Sequence, residues 1–417
     1  MKANAQIGLS DKLCYIKALD GMRGLFCLVI IVAHWKLAFP IIPLGWEALQ
    51  TFFVMSGFLI TRILLNEKER KPSFGNYTKS FYLKRLFRIF PLYFAYLLVM
   101  SLLRFSMKGS EFIQTQTAEL EHSGVWLYTY LYNFKTWFNF KAGIPFTDTP
   151  FFSHLWSLSV EEQFYLIFPF LIYFLRGRVL KGVIIAMIIV PQFIRIFGYP
   201  YLLSVNPDPD WAIILIYRNI VFQIDALSIG AALAIFNFSW IKRPKFWFNV
   251  FFIAVLMVHA FNYPIVRASF TDLSNLSYEI FKSNGQMNVL GYIHFLGHPE
   301  VLQFGKQFIY MMPLVNLWCF FMVLSAIRGT PVWKSVLENR FVVFVGKISY
   351  GMYVYHFATM IFFMKILRAV LPMNPIDLPY ILHFVLFFVY LGCVIGISYL
   401  SYNYFEMFFL KMKKKVS

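Results

Sequence analysis

The sequence predicts an all-α, polytopic membrane protein with about ten transmembrane helices around a central cavity. Three observations carry that prediction. The 417-residue chain is 59% hydrophobic and 20% aromatic but only 14% charged, a balance that lipid-facing runs produce and soluble domains of this length do not. Its apolar residues gather into runs of roughly the 20 residues that a bilayer needs. Its basic residues gather between alternate runs, as cytoplasm-facing loops require.

The runs lie near 24–43, 44–65, 86–106, 155–175, 182–199, 212–236, 246–264, 307–327, 341–371 and 379–405. With both termini inside, segments 1–23, 62–88, 176–181, 242–245, 328–347 and 411–415 face the cytoplasm and hold 26 of the 38 Lys and Arg. That asymmetry explains the net charge of +18 better than nucleic-acid binding does. Basic inner loops also suit anionic membrane lipids or a phosphorylated ligand. The chain divides into a cytoplasmic leader 1–18, a membrane domain 19–410 and a basic cytoplasmic tail 411–417. No signal-peptide cleavage pattern, inverted repeat or extra soluble domain is expected. Cys14, Cys27, Cys319 and Cys393 are scattered, which predicts neither a disulfide framework nor a metal site. Two outer segments are long, about 107–152 and about 267–306. The first mixes Glu111, Glu119, Glu121 and His122 with Trp126, Tyr128, Tyr130, Tyr132 and Trp137, aromatics that suit either the bilayer interface or a platform for sugar rings.

Ionisable residues inside the runs are the candidate functional groups. In the first run, Asp20, Arg23 and His34 share one helix face. Eleven residues separate Arg23 from His34, about 16 Å along a helix axis, so Arg23 belongs near a membrane surface and His34 about halfway across. Polar groups at that depth line cavities or paths, and an imidazole exchanges protons near neutral pH. The structural alternative is an ordinary helix start, with Asp20 as N-cap and Arg23 snorkelling. The second run carries Ser56, Gly57 and Phe58, where glycine permits close helix contact or a local break. At the inner mouth of the third, Arg85 and Arg88 neighbour each other on one turn, and two guanidiniums can grip phosphate oxygens. A stop signal for topology explains the charge equally well.

The fourth run opens on His154-Leu-Trp-Ser157-Leu-Ser-Val-Glu161-Glu162-Gln-Phe-Tyr165. Ser157, Glu161 and Tyr165 lie on one helix face, and the paired carboxylates need partners or water. Ser157 could instead cap the helix. His34 and Glu161 in one cavity would make an acid–base pair, if the spans pack that way. In the sixth run Asp225 lies deep, with Arg218 two turns earlier, which suits packing as well as function. The ninth run carries Lys347, Ser349, Tyr350, Tyr353 and His356. His259 and His383 read as isolated helix histidines.

With these residues in view, the chain resembles the acyltransferase-3 family of integral membrane acyltransferases. The matching segments are Leu19-Asp-Gly-Met-Arg through His34, Phe53-Val-Met-Ser-Gly-Phe-Leu, Arg85-Leu-Phe-Arg-Ile-Phe-Pro-Leu-Tyr93, His154 through Tyr165, and Ile348-Ser-Tyr-Gly-Met-Tyr-Val-Tyr-His356. Each is weak alone; their order and spacing are specific. The resemblance implies ten-helix acetyl- or acyltransferases that modify extracytoplasmic glycans or small molecules, and here the stand-alone type without a fused hydrolase-like domain. It implies His34 as the catalytic residue within the basic-x10-His motif begun by Arg23, and Arg85 and Arg88 at the acyl-CoA phosphates, with Tyr93, Ser56, Gly57 and Phe58 in the same donor-binding set. Ser157 and Glu161 match its Ser-x3-Glu motif. Asp20, Glu162, His154, Asp225, Tyr350 and His356 are secondary candidates.

The expected reaction is O-acetylation in a bacterial inner membrane. Acetyl-CoA or another acyl-CoA donates from the cytoplasm, without a metal, to a hydroxyl of a glycan or lipid-linked saccharide. His34 removes the hydroxyl proton, or forms an acyl-histidine; Glu161 orients it and Arg23 stabilises charge. A proton-coupled transporter or glycan exporter would use the same buried charges, and a non-catalytic assembly partner would tolerate their loss.

Overall fold

The computed structural model describes residues 15–35, 44–143, 149–260, 307–371 and 378–416. Most of the leader, Cys14 and the second long outer segment lie outside the described residues. Those described form helices and no strand: α1 (Lys17–His34), α2 (Gly45–Arg70), α3 (Phe74–Ser106), α4 (Glu111–Gln116), α5 (Ala118–Tyr128), α6 (Tyr132–Ala142), α7 (Pro150–Ser153), α8 (Trp156–Phe174), α9 (Gly177–Val205), α10 (Pro209–Arg218), α11 (Ile220–Ile235), α12 (Pro244–Ala260), α13 (Gln307–Ile327), α14 (Pro331–Leu337), α15 (Arg340–Val370), α16 (Tyr380–Leu400), a π-helical turn (Ser401–Glu406) and α17 (Met407–Val416).

The all-α membrane class holds, with fewer than ten candidate spans among the described residues. Among the described residues six helices are long and apolar enough to cross a membrane, or seven if the bent α10–α11 pair is one span. The shortfall has a physical cause. Helix α1 carries Lys17, Asp20, Arg23 and His34, α8 carries Glu161 and Glu162, and α12 has only the 17 positions Pro244–Ala260. Helices α1 and α8 are too polar to meet lipid all round, and they bury much of their surface against neighbouring helices.

The first long outer segment is not an open loop. It folds into α4 to α7, is cross-linked internally by the Lys135–Glu119 ion pair, and ties back to α3 through the Arg104–Glu121 ion pair. Tyr130 and Tyr132 are buried and Trp126 and Trp137 pack on the core, while Tyr128 stays exposed. Of the five aromatics, Tyr130 and Tyr132 therefore fill the interior. Helix α3 begins twelve residues before its expected apolar run. The reason is a clamp on α2: Glu67 accepts from Lys84 Nζ at 2.8 Å and from Ser80 Oγ at 2.7 Å.

Two glycine contacts set the inner geometry. A Cβ on Gly24 would sit 2.0 Å from the Val342 carbonyl oxygen, and one on Gly346 would sit 1.8 Å from that of Asp20. Only glycine allows that approach, which locks α1 beside α15. Gly57 does the same for α2 and α11: its Cβ would lie 1.8 Å from Leu227 O.

Candidate active site

Helices α1 and α15 run parallel with a constant register. The Cys27 thiol reaches the Ser349 carbonyl and His34 reaches His356, each across 322 positions. His356 is the seventeenth residue of the 31-residue α15. His34 ends α1 level with that midpoint.

Three imidazoles meet there. His34 Nδ1 and His356 Nε2 are 3.0 Å apart, with the rings stacked at 5.0 Å between centroids. The His154 ring stands edge-on to His356 at 5.1 Å, and Phe357 packs against all three. Tautomers follow from partners. His356 Nδ1 lies 2.7 Å from the Tyr353 carbonyl oxygen, which can only accept, so this nitrogen donates. A neutral His356 then presents its Nε2 lone pair to His34, and His34 Nδ1 must donate to it. A neutral His34 is thereby left with an unprotonated Nε2. That is the tautomer a general base needs, held by a neighbour in the way metal-free acid–base sites fix an imidazole.

One layer away, Ser157 Oγ and Tyr353 Oη are hydrogen-bonded at 2.6 Å, so one of them donates to the other while its partner donates to the His154 carbonyl oxygen, 3.0 Å from both. The next layer holds Glu161: Oε1 accepts from Ser56 Oγ at 2.7 Å and Oε2 from Tyr165 Oη at 2.9 Å. Below lie the guanidiniums. Arg23 has Arg88, Asp20, Tyr165 and Glu161 within electrostatic reach. Arg85 has Tyr165, Arg88, Arg23 and Glu162. Asp20 bonds Arg23 at 3.4 Å and accepts from Tyr15 Oη at 2.6 Å, a bond that pushes the Tyr15 phenol up to about 12. Arg85 Nε and Glu162 Oε1 are buried without a hydrogen-bond partner among the described residues. Unlike most polar groups of the core, His34, Ser56, Arg23, Arg85, Arg88, Glu161 and Glu162 all keep partial exposure. The arrangement is a polar seam from a basic end to an imidazole cluster, about 16 Å long by the helical rise from Arg23 to His34.

The structure thus brings together His34, His356, His154, Ser157, Glu161, Ser56, Arg23, Arg85, Arg88, Asp20, Glu162 and Tyr350, whose hydroxyl donates to Ile89 O at 2.8 Å. It corrects several readings. Asp20 lies in the first turn of α1, whose N-cap is Ile16, and Ser157 is the second residue of α8 and caps nothing. His34 Nδ1 is bonded to His356 Nε2, while Ser56 and Tyr165 engage both Glu161 oxygens. Tyr93 is fully buried, donates to Leu127 O at 2.8 Å and stacks on Tyr130. Gly57 packs on Leu227, and Phe58 is buried under Arg62. Asp225 belongs to a separate knot with Arg195, Gln192 and Asn316. His259 is not isolated: it pairs with Glu47 at the start of α2. Among the described residues no group of three or more His, Cys, Asp or Glu is arranged to hold a metal ion.

A family model described as an acyltransferase domain matches residues 16–403. The chain belongs to the acyltransferase-3 family. A putative O-acetyltransferase of Staphylococcus aureus strain COL is 27% identical over 356 residues, which are 84% of this chain and 52% of the relative. The O-acetyltransferase OatA of S. aureus strain NCTC 8325 is 24% identical over 351 residues, 84% of this chain and 51% of OatA. The chain spans about half the length of the curated relatives it matches. No solved structure matches. The acyltransferase-3 match contains every residue of the seam named above except Tyr15.

Proposed function

We propose that this protein is a membrane O-acetyltransferase. It moves an acetyl group from acetyl-CoA at the cytoplasmic face to a hydroxyl of an extracytoplasmic glycan or lipid-linked saccharide. The observation that carries the reading is the His34–His356–Tyr353 chain, which leaves His34 Nε2 as the proton acceptor at one end of a seam whose other end is cationic. His34 Nε2 takes the acceptor hydroxyl proton while that oxygen bonds to the thioester carbonyl carbon. The C–S bond breaks, and the proton returns to the departing thiolate. Through both steps His34 Nδ1 stays hydrogen-bonded to His356, which holds the ring and spreads the positive charge of the imidazolium. Arg85 and Arg88 bind the donor's phosphates. Arg85 Nε, buried without a partner, is a donor waiting for such an acceptor. Glu161, bonded to Ser56 and Tyr165, balances Arg23 and Arg85 midway along the seam.

Membranes carrying the wild-type chain, given acetyl-CoA labelled in the acetyl group, should pass label to an extractable glycan. His34→Ala should abolish transfer at unchanged protein level. Normal labelling in that variant would falsify the role of His34. Labelling absent from the wild type under saturating donor would overturn the transferase reading.

A further inference from the structure

Glu406 lies three residues beyond the family match, which ends at 403, yet it is folded into the basic end of the seam. The cause is a local irregularity. After Leu400 the chain winds as a π-helical turn, Ser401–Glu406, before α-helical geometry resumes at Met407. Such turns recur at functional sites because the extra residue re-aims one side chain. Here Glu406 turns inward and is only 8% exposed. Ser401 Oγ donates to its Oε1 at 3.4 Å, and Tyr355 Oη holds Ser401 at 3.0 Å. The same Oε1 lies 3.4 Å from where a Cβ on Gly351 would stand. Tyr350, beside Gly351, is bonded to the carbonyl of Ile89, the residue after Arg88. Both the π turn and α17 pack on α3. Arg88 is accordingly the cation within electrostatic reach of Glu406.

We infer that Glu406 is the resident counter-anion of Arg88 and a specificity-determining residue for the donor. Its carboxylate occupies the charge environment that donor phosphate takes over, so binding requires a ligand anionic enough to replace it. Arg23, Arg85 and Arg88 lie within electrostatic reach of one another and repel each other, and each has an acidic side chain nearby: Asp20 beside Arg23, Glu162 near Arg85 and Glu406 near Arg88. Asp20 and Glu162 come from α1 and α8, which build the rest of the site. Glu406 comes from an element with no other role in it. A phosphate entering between Arg85 and Arg88 meets this carboxylate as a like charge, which penalises weakly charged ligands more than polyanions. This inference rests on the donor assignment made above.

The test is calorimetric titration of the purified full chain with coenzyme A and, separately, with pantetheine, which has the same arm without the nucleotide phosphates. Glu406→Gln keeps the shape and removes the charge. It should tighten coenzyme A about five-fold, the scale of one partly screened charge pair, and leave pantetheine unchanged. Adding Arg88→Ala should erase that gain. Glu406→Asp provides a folded control that keeps the charge and should stay near wild type. Coenzyme A affinity that is unchanged or weakened in Glu406→Gln, or tightened equally with Arg88→Ala present, would overturn the inference. Wild-type chain that binds coenzyme A no better than Arg85→Ala/Arg88→Ala would instead overturn the donor assignment itself.

Discussion

The same helix bundle buries polar groups in two places and treats them oppositely. Around Asp225 the ion pair is closed: Asp225 and Arg195 are both 0% exposed. One carboxylate oxygen takes Arg195, Gln192 and Asn316, and the other takes the Ala226 backbone N–H. The knot ties α9, α11 and α13 together with its charges balanced. Toward the basic end from His34, the side chains of Arg23, Arg85, Arg88, Ser56, Glu161 and Glu162 stay partly exposed, as does His34 itself, although His154, His356 and Ser157 are buried, and the guanidiniums share a few carboxylates. A balanced, fully closed cluster contributes to the structure of a membrane bundle; an open and unbalanced one is available for ligands and chemistry.

That contrast can be broken by paired substitutions. Asp225→Ala leaves Arg195 as an unpaired buried cation, which costs about 3–5 kcal/mol. The expected outcome is collapse of the thermal midpoint and of folded yield in detergent. His34→Ala removes a proton acceptor, so transfer should fall by roughly 10²–10⁴ with the midpoint nearly unchanged. If Asp225→Ala were as stable as wild type, or if His34→Ala unfolded, the two clusters would not differ as described.

The next effect in size concerns His356. Its part is positional: it fixes the His34 tautomer through Tyr353 O. His356→Leu removes the acceptor for His34 Nδ1–H and should cut transfer by about 10²-fold, the scale seen when the partner of a working histidine is lost. His356→Gln can restore an acceptor oxygen and should recover part of the rate. The pH profile separates positioning from packing. Without an acceptor at Nδ1, the imidazolium of His34 is less stabilised, so the rising limb of rate against pH should move to lower pH in His356→Leu and back toward wild type in His356→Gln. Equal profiles in all three would reduce His356 to a packing residue.

Much of this was legible in the sequence because one-dimensional spacing maps directly onto helices. Eleven residues from Arg23 to His34 gave the right separation, and Ser157, Glu161 and Tyr165 do share a face, with Tyr165 bonding Glu161 one turn away. Partners that come from other helices were not legible. His356 stood in the ninth run as one polar residue among several, and only the glycine-locked register of α1 and α15 assigns it to His34. Asp225 sits seven residues from Arg218 in sequence, yet its partner Arg195 comes from α9. Gly57 and Tyr93 matched motif positions, but close packing on Leu227 and a hydrogen bond to Leu127 account for them here. Glu406 gave a weak signal, an acid just past an apolar run, and its inward turn depends on a π-helical irregularity that no periodicity announces. The number of candidate spans among the described residues is lower for a related reason: α1 and α8 read as apolar runs in the sequence but carry the site's charges.

The smallest expected effect sharpens the contrast at its basic end. Arg85→Ala removes one guanidinium from a cluster that retains Arg23 and Arg88, so donor affinity should weaken by about ten-fold, the scale of one charge-assisted hydrogen bond. Maximal transfer at saturating donor should change little, because the imidazole layer about 16 Å away is untouched. Arg85→Lys keeps the charge but loses the planar fork and the partnerless Nε, so it should fall between wild type and Arg85→Ala. Donor and acceptor KM values measured side by side decide the matter. A change confined to the donor term places Arg85 in phosphate binding. A matching rise in the acceptor term, or a loss of maximal rate alone, would mean that the basic end holds the seam together as Arg195 holds the Asp225 knot, and the distinction between open and closed clusters would shrink to the imidazoles.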